Sequence, residues 1–171
     1  MDILTCNLFA RYNQFANNQM NLLIGKLDNL QWNKDFGGYF RSIKEVCNHI
    51  YIADFHWLKR FSKLRSFDYI NNPLFDITLS FGTNPLNEIS DYIQKREELD
   101  DKFLQFTSEL RPDDLDMALS YSDSKGTNHT RNFGGLVYHA FNHQTHHRGM
   151  VSVYLDIMNI NNDFNSVSPL V

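Results

Sequence analysis

Four of the chain's seven histidines fall within nine positions: His139, His143, His146 and His147. Residues three or four apart share one face of a helix, so a His at i and i+4 can turn two ring nitrogens toward one divalent ion. His143 and His147 stand at that spacing, and so do His139 and His143. His139 and His147 do not, because eight residues of helix rise about 12 Å whereas a zinc–nitrogen bond is about 2 Å. One ion takes one pair or the other, and a third ligand must come from another element. Three protein ligands with an open fourth position is the catalytic style of zinc site, and four closed ligands is the structural style.

His143 and His147 also occupy the first and last positions of the zinc-protease signature H-E-x-x-H. Gln144 stands where that signature requires glutamate. A neutral amide cannot take a proton from metal-activated water, so the spacing suggests a metal while Gln144 argues against that chemistry.

These side chains need helices to position them. From Leu136 to Met158 apolar residues recur at helical spacing, and this fourth helix is expected to start near Asn132 and fade before Asn159. A second helix is expected over Phe40–Leu64, with His49 at its middle as the candidate third ligand. His56, seven residues on, lies two turns away and reads as structural. A first helix is read from Ile3 to Leu30, with Asn13, Asn17, Asn18 and Asn21 on its solvated side. Asn84-Pro85 reads as an N-cap and first turn, opening a third helix that runs to Leu110. Its charged residues Lys95, Arg96, Glu97, Glu98, Asp100 and Asp101 read as a solvated face.

Between the second and third helices, Arg65–Thr83 shows no period and carries a turn at Asn71-Asn72-Pro73, which suits a crossover. Met117–Tyr121 and Thr127–Arg131 form a candidate short hairpin, and its His129 is an outside candidate ligand. The tail from Ser166 to Val171 reads as a segment that packs on the helices or on a partner. The expected fold is all-α: one domain over residues 1–171, a four-helix bundle with a long crossover and a short hairpin before the last helix.

Composition narrows the function classes. A content of 42% hydrophobic and 14% aromatic residues suffices for a sizeable core. A net charge of −4 offers no footprint for nucleic acid. The one dense basic cluster, Lys59, Arg60, Lys63 and Arg65, reads first as cations at a helix C-terminus and second as a phosphate site. Cys6 and Cys47 make no disulfide framework and suit a reducing cytoplasm. No signal peptide and no membrane span are expected.

The motifs in order resemble the DinB family, the damage-inducible, YfiT-like helical-bundle proteins. Tyr12-Asn13-Gln14-Phe15-Ala16-Asn17 is similar to the family's opening motif. Phe40-Arg41-Ser42-Ile43, Asn48-His49-Ile50, Ala53-Asp54 and Trp57-Leu58 resemble its second helix. Asn142-His143-Gln144-Thr145-His146-His147-Arg148-Gly149 is similar to its most specific segment. The resemblance spans nearly the whole chain. It implies a divalent metal, zinc or nickel first and iron after them, on His49, His143 and His147. His139 and His146 then become packing or ligand-orienting residues. The chain departs from the family pattern at Met150, where glutamine often follows the glycine, and a thioether is a poor hydrogen-bond partner.

Two classes of function follow from the resemblance. The first is a metal-dependent enzyme acting on a small-molecule substrate, either a transferase using a low-molecular-weight thiol or a hydrolase. Asp54, Arg148, Tyr12 and Asn13 are candidates for positioning that substrate. The second is a non-catalytic metal-binding stress-response protein that acts through a partner. The resemblance also suggests a homodimer. A fourth protein ligand, such as His129 or Asp54, would favour a structural site over a catalytic one.

Overall fold

The computed structural model describes residues 1–164 and 166–171. Four long helices carry the chain, α1 (Ile3–Ile24), α3 (Ile43–Phe61), α4 (Ile89–Glu109) and α5 (Phe133–Ile157), with the one-turn α2 (Asn29–Trp32) after α1. An antiparallel hairpin, β1 (Ala118–Ser122) and β2 (Asn128–Asn132), leads into α5 with Ala118 opposite Asn132. The molecule is mostly helical with this one small sheet among the described residues. No described helix is long and apolar enough to cross a membrane.

Local chemistry sets the helix starts. Asp2 accepts the Thr5 amide at 2.7 Å to open α1, and Ser42 accepts the Glu45 amide at 3.2 Å to open α3. Asn132 accepts the Gly135 amide at 2.8 Å and donates to the Leu115 carbonyl at 2.9 Å. One side chain thus ends the hairpin and begins the histidine-bearing helix.

α1 and α3 each pack against both α4 and α5. Aromatic rings fill the shared interior: Phe61 of α3 stacks on Phe106 of α4 at 5.1 Å, and Phe133 of α5 meets it edge-on at 5.4 Å. The Ser168–Leu170 turn of the tail lies against α1.

Several expected boundaries and faces are corrected. α1 stops at Ile24 rather than Leu30, because the Lys26 and Leu27 amides turn to the i−3 carbonyls of Leu23 and Ile24, at 3.1 and 3.0 Å, and break the i−4 ladder. Asp28 and Gln31 then cap each other's turn to start α2. The third long helix begins at Ile89, five residues after Asn84, with no cap from Asn84-Pro85. Tertiary partners hold the intervening backbone extended. The Asn48 amide accepts from the Leu86 N–H and donates to the Leu86 carbonyl, both at 2.9 Å, and the Trp32 indole donates to the Asn87 carbonyl at 2.9 Å.

Asn13, Asn17 and Asn21 are buried rather than solvated, and so are Arg96 and Asp100 on α4. They belong to a polar layer inside the molecule. Arg96 bridges Asp54 at 2.6 Å and Asp100 at 2.8 Å. Asn17 donates to both Asp100 oxygens at 3.0 Å and to Gln144 at 3.3 Å. Burial pushes Asp54 up to about 7 and Asp100 in the same direction, while Arg96, facing both acids, is held firmly cationic. The two acids share one buried guanidinium, and Arg148 is a further cation acting on both.

Candidate metal centre

Helix α3 presents His49 and helix α5 presents His143 and His147, one turn apart. The Nε2 of His143 lies 3.1 Å from the Nε2 of His49 and 3.1 Å from the Nε2 of His147. The ligand nitrogens of all three rings fall within 4.8 Å of one another. Of the two histidine pairs open at i, i+4 spacing, it is His143/His147 that converges with a ring from another helix.

The cluster fits a divalent ion. Ligands about 2 Å from a tetrahedral centre stand about 3.3 Å from each other, close to the separations seen. Burial first, then the neighbouring imidazoles, pulls His143 down to about 3 and His147 down to about 4. Burial lowers His49 as well. All three rings are therefore neutral near pH 7, the form that donates a lone pair to a metal. At these separations the ring nitrogens either share an N–H between neighbouring rings or turn their lone pairs together onto a cation. Among the described residues no acid or fourth histidine joins the cluster.

Aromatic rings wall the centre. Phe40 lies 4.6 Å from the His49 ring and 5.4 Å from the His147 ring, and Phe81 lies 6.3 Å from His49. The Tyr154 hydroxyl donates to the Phe40 carbonyl at 2.5 Å, and the Tyr154 ring stacks on Phe36 at 4.3 Å. Between these contacts the chain turns through Gly37, at φ 75°, and Gly38, where a Cβ would collide with the Tyr154 hydroxyl. A cavity of about 250 Å³ opens on His49 between Tyr39, Phe40, Glu45 and Phe81. Phe81 carries no chemical signal in sequence, because it sits on a connection without period.

The remaining candidates lie elsewhere. Arg148 donates to Asn13 at 2.9 Å, to Thr145 at 3.2 Å and to Gln144 at 3.4 Å, and its guanidinium sits 5.1 Å from the Tyr12 ring centroid. Arg148, Asn13, Gln144, Tyr12 and Asp54 are buried in the polar layer, and none of Tyr12, Asn13, Asp54 or Arg148 lines the cavity at His49. His129 pairs with Asp123 at 3.0 Å, away from the cluster. His139 meets Trp57 edge-on at 5.2 Å, and His146 packs its ring 4.8 Å from His147. Met150 places its sulfur 3.3 Å from Nδ1 of His147, filling the position where the family pattern has an amide.

Comparison with known proteins decides the family. The DinB family model matches residues 3–158, nearly the whole chain. The chain belongs to the DinB family. Protein DinB of Bacillus subtilis is 23% identical over 151 residues, which cover 84% of this DinB-family chain and 80% of that protein. The crystal structure of a DinB-like protein from Bacillus cereus superposes with a TM-score of 0.62 at 14% identity, covering 91% of this chain and 95% of that one. At that identity the likeness speaks for the fold alone.

Proposed function

We propose that the chain is one four-helix-bundle domain that binds a divalent metal, zinc or nickel before iron, on His49, His143 and His147. The observation that carries this reading is the approach of three neutral Nε2 atoms from two helices to within metal-binding distance. We propose further that the centre serves an enzyme acting on a small molecule, by thiol transfer or by hydrolysis. An ion on three neutral ligands keeps its full charge and lowers the pKa of a thiol or water beside it.

The protein's own groups then divide the work. α5 fixes two ring nitrogens by helix geometry alone, and the Ser42-capped α3 brings the third. Phe40 and Phe81 narrow the approach to the rings. The cavity beside His49 gives a small molecule access from one side. The buried layer of Asp54, Arg96, Asp100 and Arg148 holds α1, α3, α4 and α5 in register beneath the centre.

A second reading, metal binding without turnover, is favoured by one specific feature. Among the described residues no carboxylate joins the three rings, and Glu45, the acid lining the cavity at His49, turns one of its oxygens to the Arg41 amide at 2.7 Å.

The test is elemental analysis of untagged protein beside a His143→Ala/His147→Ala variant. About one equivalent of metal in the parent and none in the variant is expected. Absence of metal in the parent, even after reconstitution with zinc, nickel and iron, overturns the metal reading. With the site established, transfer from a panel of small thiols to electrophiles separates enzyme from binding protein.

A further inference from the structure

On the far side of Phe81 a larger cavity, of about 570 Å³, is lined by His56, Lys59, Arg60 and Lys63 and by Asp123 of the hairpin turn. That volume is within the range of small-molecule sites. Three cations and one acid line it, in a chain whose net charge is −4. The acid's hydrogen bonds go to its own turn, since Asp123 takes His129 at 3.0 Å and the Lys125 and Thr127 amides at 2.8 and 2.9 Å. Its charge still acts on Arg60 and leaves the three cations in excess.

Arg60 is the informative member. Its guanidinium lies 4.9 Å from the Trp57 ring centroid and 5.4 Å from that of Tyr121, so two aromatic rings hold it in place. Among the described residues no carboxylate or carbonyl pairs with its N–H groups. Lys63 likewise has no ion-pair partner among them. Lys59 donates to the Phe75 carbonyl at 3.0 Å, which leaves two of its three donors. A guanidinium held between two aromatic rings, with no hydrogen-bond acceptor on it among the described residues, matches a planar or tetrahedral oxyanion, which its fork can take through two hydrogen bonds.

We propose that this cleft is an anion-binding subsite that holds the carboxylate or phosphate end of a small organic ligand. Arg60 supplies the forked donor and Lys63 a second charge. Phe81 stacks on His56 at 4.8 Å and lies 6.3 Å from His49, so it forms a wall common to both cavities. Along α3 the subsite lies seven to eleven residues beyond His49, about 10–16 Å of rise. The other end of an elongated anionic ligand therefore reaches the histidine centre, a link that rests on the reading of that centre as the metal site.

The experiment titrates metal-free, untagged protein with phenyl phosphate, 3-phenylpropionate and benzyl alcohol, following heat and the fluorescence of Trp57 beside Arg60. At least one of the two anions is expected to saturate below about 1 mM, and whichever binds tells phosphate from carboxylate. The alcohol is expected to leave no signal. Arg60→Gln should weaken binding about ten-fold or more and Lys63→Gln about three-fold. Lys63 is exposed and outside α3, so its variant keeps the test valid if the Arg60 variant folds poorly. His143→Ala/His147→Ala should bind these short probes as the metal-free parent does. Failure of both anions to saturate, unchanged binding in both cleft variants, or loss in the histidine variant overturns the proposal.

Discussion

The sulfur of Met150 sits 3.3 Å from Nδ1 of His147, one turn along α5 and across the ring from the nitrogen that faces His143. A ring that donates its outer N–H to a good acceptor is held in one tautomer and becomes a stronger ligand. A thioether accepts weakly. Met150→Gln should therefore tighten zinc binding by about ten-fold, and Met150→Leu should weaken it. Competition against a chelator of known affinity measures both, and equal affinities in all three proteins would remove Met150 from the site.

Acid should loosen the metal-free protein through the same rings. His143 and His147 titrate at about 3 and about 4 in the folded chain, against about 6.5 when unfolded. The unfolded chain binds more protons between those values, so stability falls as pH drops. The contribution is full above about pH 6.5 and is progressively lost as the pH falls toward about 3. Urea midpoints from pH 7 to pH 4.5 should decline in the parent and decline less in His143→Ala/His147→Ala. Parallel curves would assign the acid sensitivity to other groups.

Arg96 should be among the most sensitive positions in the core. Its removal leaves Asp54 and Asp100 buried without their bonded counter-ion, with only Arg148 still acting on them, a loss of about 3–5 kcal/mol in Arg96→Met. Asp54→Asn leaves Arg96 paired with Asp100 and should lose only about 1–2 kcal/mol. Guanidinium denaturation of the two variants gives the comparison. An Arg96 variant as stable as the parent would mean that water reaches the acids.

Tyr154 tests the wall of the centre. Tyr154→Phe keeps the stack on Phe36 and deletes the hydrogen bond to the Phe40 carbonyl, at a loss of about 1 kcal/mol. Metal content should be unchanged, while hydrogen exchange across residues 36–40 should accelerate. A fall in metal content would show that the Phe40 segment holds the ligands as well as covering them.

Some of this was legible in the residue string for physical reasons. The i, i+4 histidines are read from helix geometry, and Asn132 announces the start of α5 because a cap is a local interaction. His49 became specific only through the resemblance, since no local rule joins positions 94 residues apart. The buried polar layer was misread because polarity normally marks a surface. A finer signal was present. Arg96 and Asp100 fall on the same stripe as Tyr92, Leu99 and Phe103, and Asn13 and Asn17 on the stripe of Ala10 and Met20. Polar residues at core positions of separate helices need one another. The start of α4 was not legible, because Asn48 and Trp32 claim the backbone before it from distant parts of the chain.

The two nearest imidazoles of α3 and α5 belong to residues separated by 94 positions. An ion gripping both would staple the early half of the chain to the late half, closing a loop that spans the connection after α3, all of α4 and the hairpin. In the unfolded state so large a loop is entropically expensive to close, so a bound ion would act as a reversible crosslink, made by folding and cut by a chelator. A molecule nicked at the hairpin tip near Lys125 would then depend on that staple, and on the packing of α5, to keep its two fragments together.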